Sequence, residues 1–343
     1  MNSFSDTLFE GDSASSLHQL LDEASSLIVL TDTHTSRFCL PLLKEHIQTP
    51  FHHVEVPTGE VHKNIDTAQT IWQQMVQWNI DRNGLLINLG GGVITDMGGF
   101  VASVYKRGIK YIQVPTTLLG MVDAAIGGKN GIDFLGYKNF LGVIRLPLGV
   151  WIEPAFLKTL PEEQIRSGAA EIIKAALIRD TALWEAIEQL EDISGITAPD
   201  IIKRAIEIKR EVVSSDPEEK GLRKILNFGH TIGHAVESYC LNEGRPVSHG
   251  DAVAIGMYYE SKLANASGFL SEEAYKSIVR VLHKHYNIPS FSPAEVEHLL
   301  QFMMHDKKNS GQTILGILLH HIGRPEWGYT YAPDTIRTIM MEK

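Results

Sequence analysis

The stretch from Leu85 to Phe100, LLINLGGGVITDMGGF, carries the pattern that decides the fold. An apolar run ends in three consecutive glycines, and a segment that can become helical follows from about Thr95. Because glycine lacks a Cβ, the backbone can turn sharply and approach a pyrophosphate, and the next helix offers free N–H groups and a positive dipole end. The pattern predicts either a dinucleotide-binding turn or an ordinary strand-to-helix turn, since the usual GxGxxG spacing is absent.

Further apolar, β-rich runs surround this stretch in the first half of the chain. They are SLIVLTD, HHVEV and KYIQVP, each separated from its neighbours by enough residues for a helix. This alternation is typical of βαβ units and predicts a parallel sheet. Ligands of such sheets collect at the carboxyl ends of the strands.

Charged residues follow two of these predicted strands. Asp32 ends SLIVLTD, where its carboxylate could accept hydrogen bonds from a ribose or cap a helix. Glu60 and Lys63 lie in VPTGEVHK and would either project toward the same crevice or remain surface charges at a helix start.

From about Leu160 the pattern changes to apolar residues at three-to-four spacing, which predicts a mainly α-helical second half. The proline in KTLPEEQ suits a first helical position. We therefore predict two domains, residues 1–159 and 160–343.

The stretch VDAAIGGKNGIDFLGYKNFLG, downstream of the strand KYIQVP, has two lysines among glycines and small residues. Lys129 and Lys138, with Asn139, could surround an anion if the glycines form flexible turns. A hairpin with solvated lysines is the alternative. The position after a predicted strand favours an anion site.

Histidines four residues apart occur in LNFGHTIGHAVESYC, where one helical face would carry both His230 and His234. His249 lies downstream in a predicted loop, just before a helix rich in small residues. Glu171 lies on an otherwise apolar helix, where an unpaired carboxylate would be costly to bury, and Lys174 follows one turn later. Histidines and one acid can hold a catalytic zinc, although a core or capping role for the histidines remains open.

Composition excludes several classes of protein. The formal net charge of −10 is unsuited to a nucleic-acid surface, and the two cysteines form no CxxC pair, which favours a reducing compartment. The sequence shows neither a secretory leader nor an apolar run long enough to cross a membrane. We expect a cytoplasmic protein without nucleic-acid or membrane partners.

Taken together, an ordered set of motifs resembles the 3-dehydroquinate synthase family within the sugar phosphate cyclases. The motifs are PTGEVHK, GGGVITDMGGF, VPTTLLGMVDAAIGGKNGI, GYKN, AAEIIK, LNFGHTIGHAVE, SHGDAV and DKK, and they extend from about Asp32 to Lys308. The resemblance implies a Rossmann-like NAD domain joined to a helical zinc domain, a homodimer, and an active site in the cleft between the domains.

The family's activity is the conversion of 3-deoxy-D-arabino-heptulosonate 7-phosphate to 3-dehydroquinate and phosphate, a step of the shikimate pathway toward aromatic amino acids. The resemblance implies this reaction here, with transient oxidation by NAD, phosphate elimination, reduction and intramolecular aldol closure. Zinc is the expected metal and cobalt a possible replacement.

The resemblance also assigns individual residues. The implied zinc ligands are Glu171, His230 and His249. The implied NAD-binding residues are Asp32, Glu60, Lys63, Gly90, Gly91, Gly92, Asp96, Thr116, Thr117, Asp123 and Lys138. The implied catalytic and substrate-binding residues are Arg107 (reaching the phosphate from the partner subunit), Lys129, Asn139, Lys174, Lys209, Arg223, Asn227, His234 and one of Lys307 and Lys308, with Lys307 chosen.

Several positions depart from the common family pattern. Ala124 and Ala125 replace frequent serines, Asn130 replaces a frequent threonine, and GYKN contains an additional tyrosine. These departures keep open a sibling cyclase that acts on another sugar phosphate. A metal-dependent NAD alcohol dehydrogenase is a second alternative, because it shares the general architecture. An NAD-binding regulator without activity is a third alternative.

Overall fold

The computed structural model describes residues 8–10, 20–135, 137–305 and 314–342. The chain divides into two compact units, Met1–Gln164 and Ile165–Lys343, whereas the sequence placed this boundary after residue 159. The helix that includes the boundary begins at Glu162, directly after Pro161. No helix among the described residues is long and apolar enough to cross a membrane.

A six-stranded sheet forms the centre of the N-terminal unit, with the order β1-β8-β5-β4-β2-β3 and parallel pairing throughout. Its strands are β1 (Leu8–Glu10), β2 (Leu27–Asp32), β3 (Phe51–Val56), β4 (Leu85–Gly90), β5 (Lys110–Pro115) and β8 (Gly149–Ile152). The predicted parallel sheet is confirmed. The sequence analysis missed β1 and β8.

Helices connect these strands. They are α1 (Thr33–Phe38), α2 (Leu40–His46), α3 (Ile65–Gln77) and α4 (Gly92–Val104), with short 3₁₀ helices at Glu60–His62, Tyr105–Arg107 and Pro154–Thr159 and a π-helix at Gly120–Ala124. Side chains of β2, β4 and α4, such as Leu30, Leu86 and Met97, are fully buried in one apolar core. The helix after the glycines starts at Gly92, not near Thr95, because glycine tolerates the first helical position as readily as the turn.

The lysine-rich segment is an antiparallel hairpin of β6 (Lys129–Phe134) and β7 (Tyr137–Ile144), which is the alternative that the sequence left open beside flexible glycine turns. Asn130 stabilises the hairpin, because its buried amide donates to the carbonyls of Gly128 and Arg145 at 2.8 and 2.9 Å. Asn130 thus holds the first strand of the hairpin in place. Its departure from the family pattern therefore has an internal structural role.

The C-terminal unit is mainly helical, as predicted. Its helices are α5 (Glu162–Arg179), α6 (Thr181–Glu188), α7 (Pro199–Ser215), α8 (His230–Asn242), α9 (His249–Ala266), α10 (Glu272–His285), α11 (Pro293–His305) and α12 (Pro333–Met341), with 3₁₀ helices at Ile193–Thr197 and Leu222–Asn227. A second hairpin, β9 (Ile314–His321) and β10 (Arg324–Tyr331), was not predicted.

Glycines allow α5, α8 and α9 to pack closely. A Cβ at Gly250 would lie 2.2 Å from the carbonyl oxygen of Ser167 on α5, and one at Gly233 would lie 2.8 Å from that of Ala252. Real Cβ atoms do not tolerate such distances, so only glycine permits these backbones to meet. The close packing brings three helices that carry predicted metal ligands to one place.

Candidate functional site

Three side chains from three helices converge in the C-terminal unit. Glu171 lies in the middle of α5, where every residue from Ser167 to Ile178 is buried. His230 is the first residue of α8 and His249 the first of α9, so the prediction that His249 lies in a loop was wrong. One potential ligand atom from each residue lies within 4.8 Å of those of the other two.

The spacing of these atoms fits a tetrahedral metal ion. Oε1 of Glu171 lies 3.6 Å from Nε2 of His230 and 3.5 Å from Nε2 of His249. Zinc bonds of about 2.0–2.2 Å at tetrahedral angles place ligand atoms roughly 3.4 Å apart. Oε1 is buried and accepts no hydrogen bond from the described residues, as expected of an oxygen that faces a cation.

Hydrogen bonds orient both rings so that Nε2 faces the cluster. Nδ1 of His230 lies 3.1 Å from the carbonyl oxygen of Phe228, and Nδ1 of His249 lies 3.4 Å from Oε2 of Glu237. When Nδ1 carries the proton in each contact, Nε2 presents its lone pair. The sequence analysis did not single out Glu237, although it lies one turn after His234.

The electrostatics of the cluster favour a cation. Burial alone would raise the pKa of Glu171, but the charges of Lys174 and His249 hold it well below its usual range. Burial alone would lower the pKa of His249, but Glu171 and Glu237 raise it to about 9. Since a proton and a metal ion compete for the same imidazole nitrogen, a site that attracts one also attracts the other.

His234 lies beside this cluster without belonging to it. Its ring centroid is 5.1 Å from that of His230 and 6.1 Å from that of His249. Lys174 Nζ contacts Oε2 of Glu171 directly, as the spacing on α5 predicted. These two side chains therefore lie directly beside the three potential metal ligands.

Other predicted residues of the C-terminal unit lie on or near the loop before α8. Arg223 is buried and its guanidinium donates to the carbonyl of Pro217 at 2.8 Å, and the amide of Asn227 donates to Glu219 at 2.8 Å. Asp216 stabilises the loop by accepting hydrogen bonds from the backbone N–H groups of 220, 221 and 223. Lys209 is buried on α7, and Lys307 and Lys308 lie outside the described residues.

In the N-terminal unit, two of the predicted nucleotide-binding residues lie at the point where the order of the sheet reverses. The chain passes from β2 to β3 on one side and then to β4 on the other side of β2. Asp32 ends β2 and Gly90 ends β4, so both flank this switch point, where open α/β sheets bind ligands.

The three glycines have different roles. A Cβ at Gly90 would lie 2.5 Å from Cβ of Ile94, and one at Gly91 would lie 2.9 Å from Cγ2 of Thr117. A Cβ at Gly92 would meet only Ala124, at an ordinary 3.6 Å. Gly90 and Gly91 are thus required by the fold, whereas Gly92 leaves space that the protein does not use.

The start of α4 is suited to an anion. Its N-cap residue, Gly91, has no side chain, and the first intrahelical bond is donated by Thr95 to Gly91 at 3.0 Å. The N–H groups before Thr95 therefore have no acceptor within the helix, at its positive end. This geometry supports the dinucleotide interpretation of the glycine pattern.

Two of the charges near this turn form a buried ion pair. Lys63 Nζ lies 2.7 Å from Oδ2 of Asp96 and 3.7 Å from Oε1 of Glu60. Burial alone would lower the pKa of Lys63, but the carboxylates of Asp96 and Glu60 outweigh burial, so this pKa is raised. Burial raises the pKa of Asp96 to about 6, although Lys63 opposes this. Lys63 and Asp96 are thus engaged mainly with each other, and little of either side chain is exposed.

The remaining predicted residues of this unit are placed as follows. Asp32 caps α1 through Oδ1, which accepts from the backbone of Thr35 at 2.8 Å, so its capping interpretation is confirmed. Thr116 is buried, and Thr117 accepts from the N–H of Gly120. Asp123 lies on the π-helix. The hairpin exposes Lys129, Lys138 and Asn139. Arg107 is also exposed, and its backbone is left-handed with φ 68°.

The amino-acid sequence matches two family descriptions that adjoin along the chain. Residues 53–167 match 3-dehydroquinate synthase N-terminal, and residues 168–309 match 3-dehydroquinate synthase C-terminal. A relative from Corynebacterium diphtheriae, named 3-dehydroquinate synthase, is 44% identical over 278 residues, which cover 79% of this chain and 76% of the relative.

Solved structures show the same fold. A 2-epi-5-epi-valiolone synthase from Streptomyces hygroscopicus with NAD+ and Zn2+ bound has a TM-score of 0.83 and 27% identity, covering 99% of this chain and 97% of that chain. A 2-deoxy-scyllo-inosose synthase complexed with carbaglucose-6-phosphate, NAD+ and Co2+ has a TM-score of 0.85 at 24% identity, covering 98% and 95%. The two adjoining family matches and the level of identity show that this chain belongs to the 3-dehydroquinate synthase family.

Proposed function

We propose that this chain converts 3-deoxy-D-arabino-heptulosonate 7-phosphate to 3-dehydroquinate and inorganic phosphate. The observation that carries the proposal is the convergence of Glu171, His230 and His249 beside Lys174 in a member of this family. A carboxylate and two imidazoles leave one position open on a tetrahedral ion, as catalytic sites require.

Two cofactors support this chemistry. Glu171, His230 and His249 would hold the metal ion, with zinc as first choice and cobalt as an alternative. The glycine turn and the first N–H groups of α4 would bind the pyrophosphate of NAD. When bound, the metal polarises substrate oxygens and NAD accepts a hydride and later returns it, so NAD is not consumed.

The side chains of the protein position the substrate and its charge. Lys174 Nζ lies against Glu171, so it can donate to a substrate oxygen beside the metal cluster. We assign His234, Lys209, Arg223 and Asn227 to substrate and phosphate binding on the same grounds. Holding the phosphate close lets it act both as leaving group and as the base for its own elimination.

The substrate residues of the N-terminal unit complete this proposal. Lys129, Asn139 and Arg107 would supply further donors to the phosphate, and Lys138 would contact NAD. Local cations of this kind are needed because the whole chain has a net charge of −10 and repels an anionic substrate at long range. Two further predictions complete the proposal, a homodimer carried over from the family and a cytoplasmic location expected from the sequence.

Release of inorganic phosphate tests the reaction. We expect phosphate from 3-deoxy-D-arabino-heptulosonate 7-phosphate with catalytic NAD and added zinc, no accumulation of NADH, and loss of activity with a chelator. A Lys174→Ala variant should lower kcat/KM and still fold, although it leaves the buried carboxylate of Glu171 without its ammonium partner and lowers the unfolding temperature.

The alternatives give different results in the same assay. Steady accumulation of NADH without phosphate would contradict the proposal and indicate a dehydrogenase. Phosphate release only from another seven-carbon or six-carbon sugar phosphate would indicate a sibling cyclase. Light scattering of the purified protein tests the homodimer, and a monomer at micromolar concentration would contradict it.

A further inference from the structure

The helix that carries His230 begins without a local cap. Its N-cap residue is Gly229, which has a left-handed backbone at φ 77° and offers no side chain. The first N–H groups of a helix need acceptors, most often from a Ser, Thr, Asp or Asn at the N-cap. At α8 the acceptor must therefore come from elsewhere in the fold.

Glu260 of α9 supplies this acceptor. Its Oε2 accepts from the N–H of Gly229 at 2.9 Å and its Oε1 accepts from the N–H of Ile232 at 3.3 Å. The side chain is fully buried, and its negative charge lies at the positive end of α8. The two donors lie on either side of His230 in the chain, so the carboxylate holds the turn from which this histidine projects.

The packing of α9 against this turn leaves little freedom. Gly256 lies one turn before Glu260, and a Cβ there would come within 1.8 Å of the carbonyl oxygen of Gly229. His249 lies seven residues before Gly256, on the same side of the helix. One face of α9 therefore presents His249 itself and also contacts the backbone that presents His230.

From this geometry we infer that Glu260 is a positioning residue for the metal cluster. Through its two hydrogen bonds it determines where His230 stands relative to His249 and Glu171. This inference rests on the proposed metal site and deepens it, because it names a residue that sets the affinity of the site without touching the metal. Carboxylates that orient metal ligands typically change metal affinity about 10- to 100-fold when replaced.

The test compares Glu260→Gln with a matched control, Glu295→Gln. Glutamine preserves the shape but turns an NH₂ group toward one of the two donors. Glu295 also accepts from a backbone N–H, that of Ser292 at 2.8 Å, near the start of α11, and it contacts no member of the cluster. Zinc affinity is measured by chelator competition, and the cobalt-substituted proteins are compared by visible absorption, which reports ligand geometry.

We expect Glu260→Gln to weaken zinc binding about 10- to 100-fold and to change the cobalt spectrum, while Glu295→Gln changes neither. Equal zinc affinity and an unchanged cobalt spectrum in folded Glu260→Gln would overturn the inference and leave Glu260 as a cap alone. If Glu260→Gln does not fold, Glu260→Asp, which keeps the charge but shortens the reach, is judged by the same two measurements. Absence of zinc binding by the unaltered protein would instead contradict the proposed metal site.

Discussion

The carboxylate of Glu171 is charged in a position from which water is excluded. Its side chain is 2% exposed, and its neighbours include Lys174 and the two imidazoles of His230 and His249. A buried charge is costly unless other charges or hydrogen bonds compensate it. The same arrangement that compensates the charge also prepares a site for a metal ion.

The two histidines of α8 should respond differently to substitution. His230→Ala removes a ligand of the cluster, so we expect loss of bound metal and of activity together. His234→Ala leaves the three ligands intact, so we expect normal metal content with a low kcat. Metal analysis of the dialysed variants distinguishes them, and equal zinc retention would contradict the assignment of ligands.

Asp96 should give the protein a specific pH dependence. Its pKa is raised from 3.8 to about 6 by burial, although Lys63 opposes this. Between pH 4 and 6 the folded state therefore keeps a proton that the unfolded state has released. The stability that Asp96 contributes falls as the pH rises through this range, by at most about 3 kcal/mol.

Asp96→Asn removes this titration. We expect the unfolding temperature of the variant, relative to that of the unaltered protein, to increase by several degrees between pH 4.5 and 7. The comparison uses the change with pH and not the absolute stability, because Lys63 loses a partner in the variant. A difference that stays constant over this range would show that Asp96 titrates at its ordinary pKa.

In the strand, turn and helix from Leu85 to Val104, Gly90 is needed for packing, whereas Gly92 leaves room for a ligand. Gly90→Ala should lower the unfolding temperature, since its Cβ would overlap Ile94 and overpacking costs about 1–3 kcal/mol. Gly92→Ala should leave stability nearly unchanged, because its Cβ meets only Ala124 at 3.6 Å.

NAD affinity separates these two variants further. If Gly92 is kept for the approach of a pyrophosphate, Gly92→Ala should weaken NAD binding by tenfold or more, which corresponds to about 1.4 kcal/mol. Fluorescence titration with NAD measures this. Unchanged affinity in Gly92→Ala would show that the nucleotide does not approach the start of α4 closely.

The β6–β7 hairpin shows how local sequence can leave two structures open, here flexible turns and a hairpin. Glycines and lysines at short spacing suggested flexible turns around an anion. The hairpin forms because Asn130 and its neighbours pair with the strand from Tyr137 to Ile144, and pairing depends on residues that come later in the chain. The turn chemistry of glycine alone does not contain this information.

For the whole molecule, the two units carry different parts of the proposed machinery. The nucleotide-binding turn belongs to Met1–Gln164, and the metal cluster belongs to Ile165–Lys343. A ligand stabilises the state that binds it, so exchange of the amides that contact it slows relative to the unliganded protein. Each cofactor should therefore protect its own unit.

Hydrogen exchange with one cofactor at a time tests this division. We expect NAD alone to slow exchange at the start of α4, and zinc alone to slow exchange at the starts of α8 and α9. His230→Ala serves as the control, because it should abolish the effect of zinc and preserve that of NAD. Protection by NAD confined to the C-terminal unit would contradict the placement of the nucleotide site.

Local sequence was sufficient to predict four of the six parallel strands, the helical second half and the candidate side chains of the metal cluster, whereas the choice of His230 over His234 as a ligand came from the family resemblance. Periodicity and glycine spacing are properties of near neighbours, and a carboxylate on an apolar helix indicates a partner because its burial is costly. Only the tertiary structure revealed that His249 starts a helix, that Asn130 anchors a hairpin and that Glu260 holds the turn before His230, and it confirmed the capping role that the sequence had left open for Asp32. Glu260 and Gly229 are 31 residues apart, and such contacts form only when helices pack, so no local pattern records them.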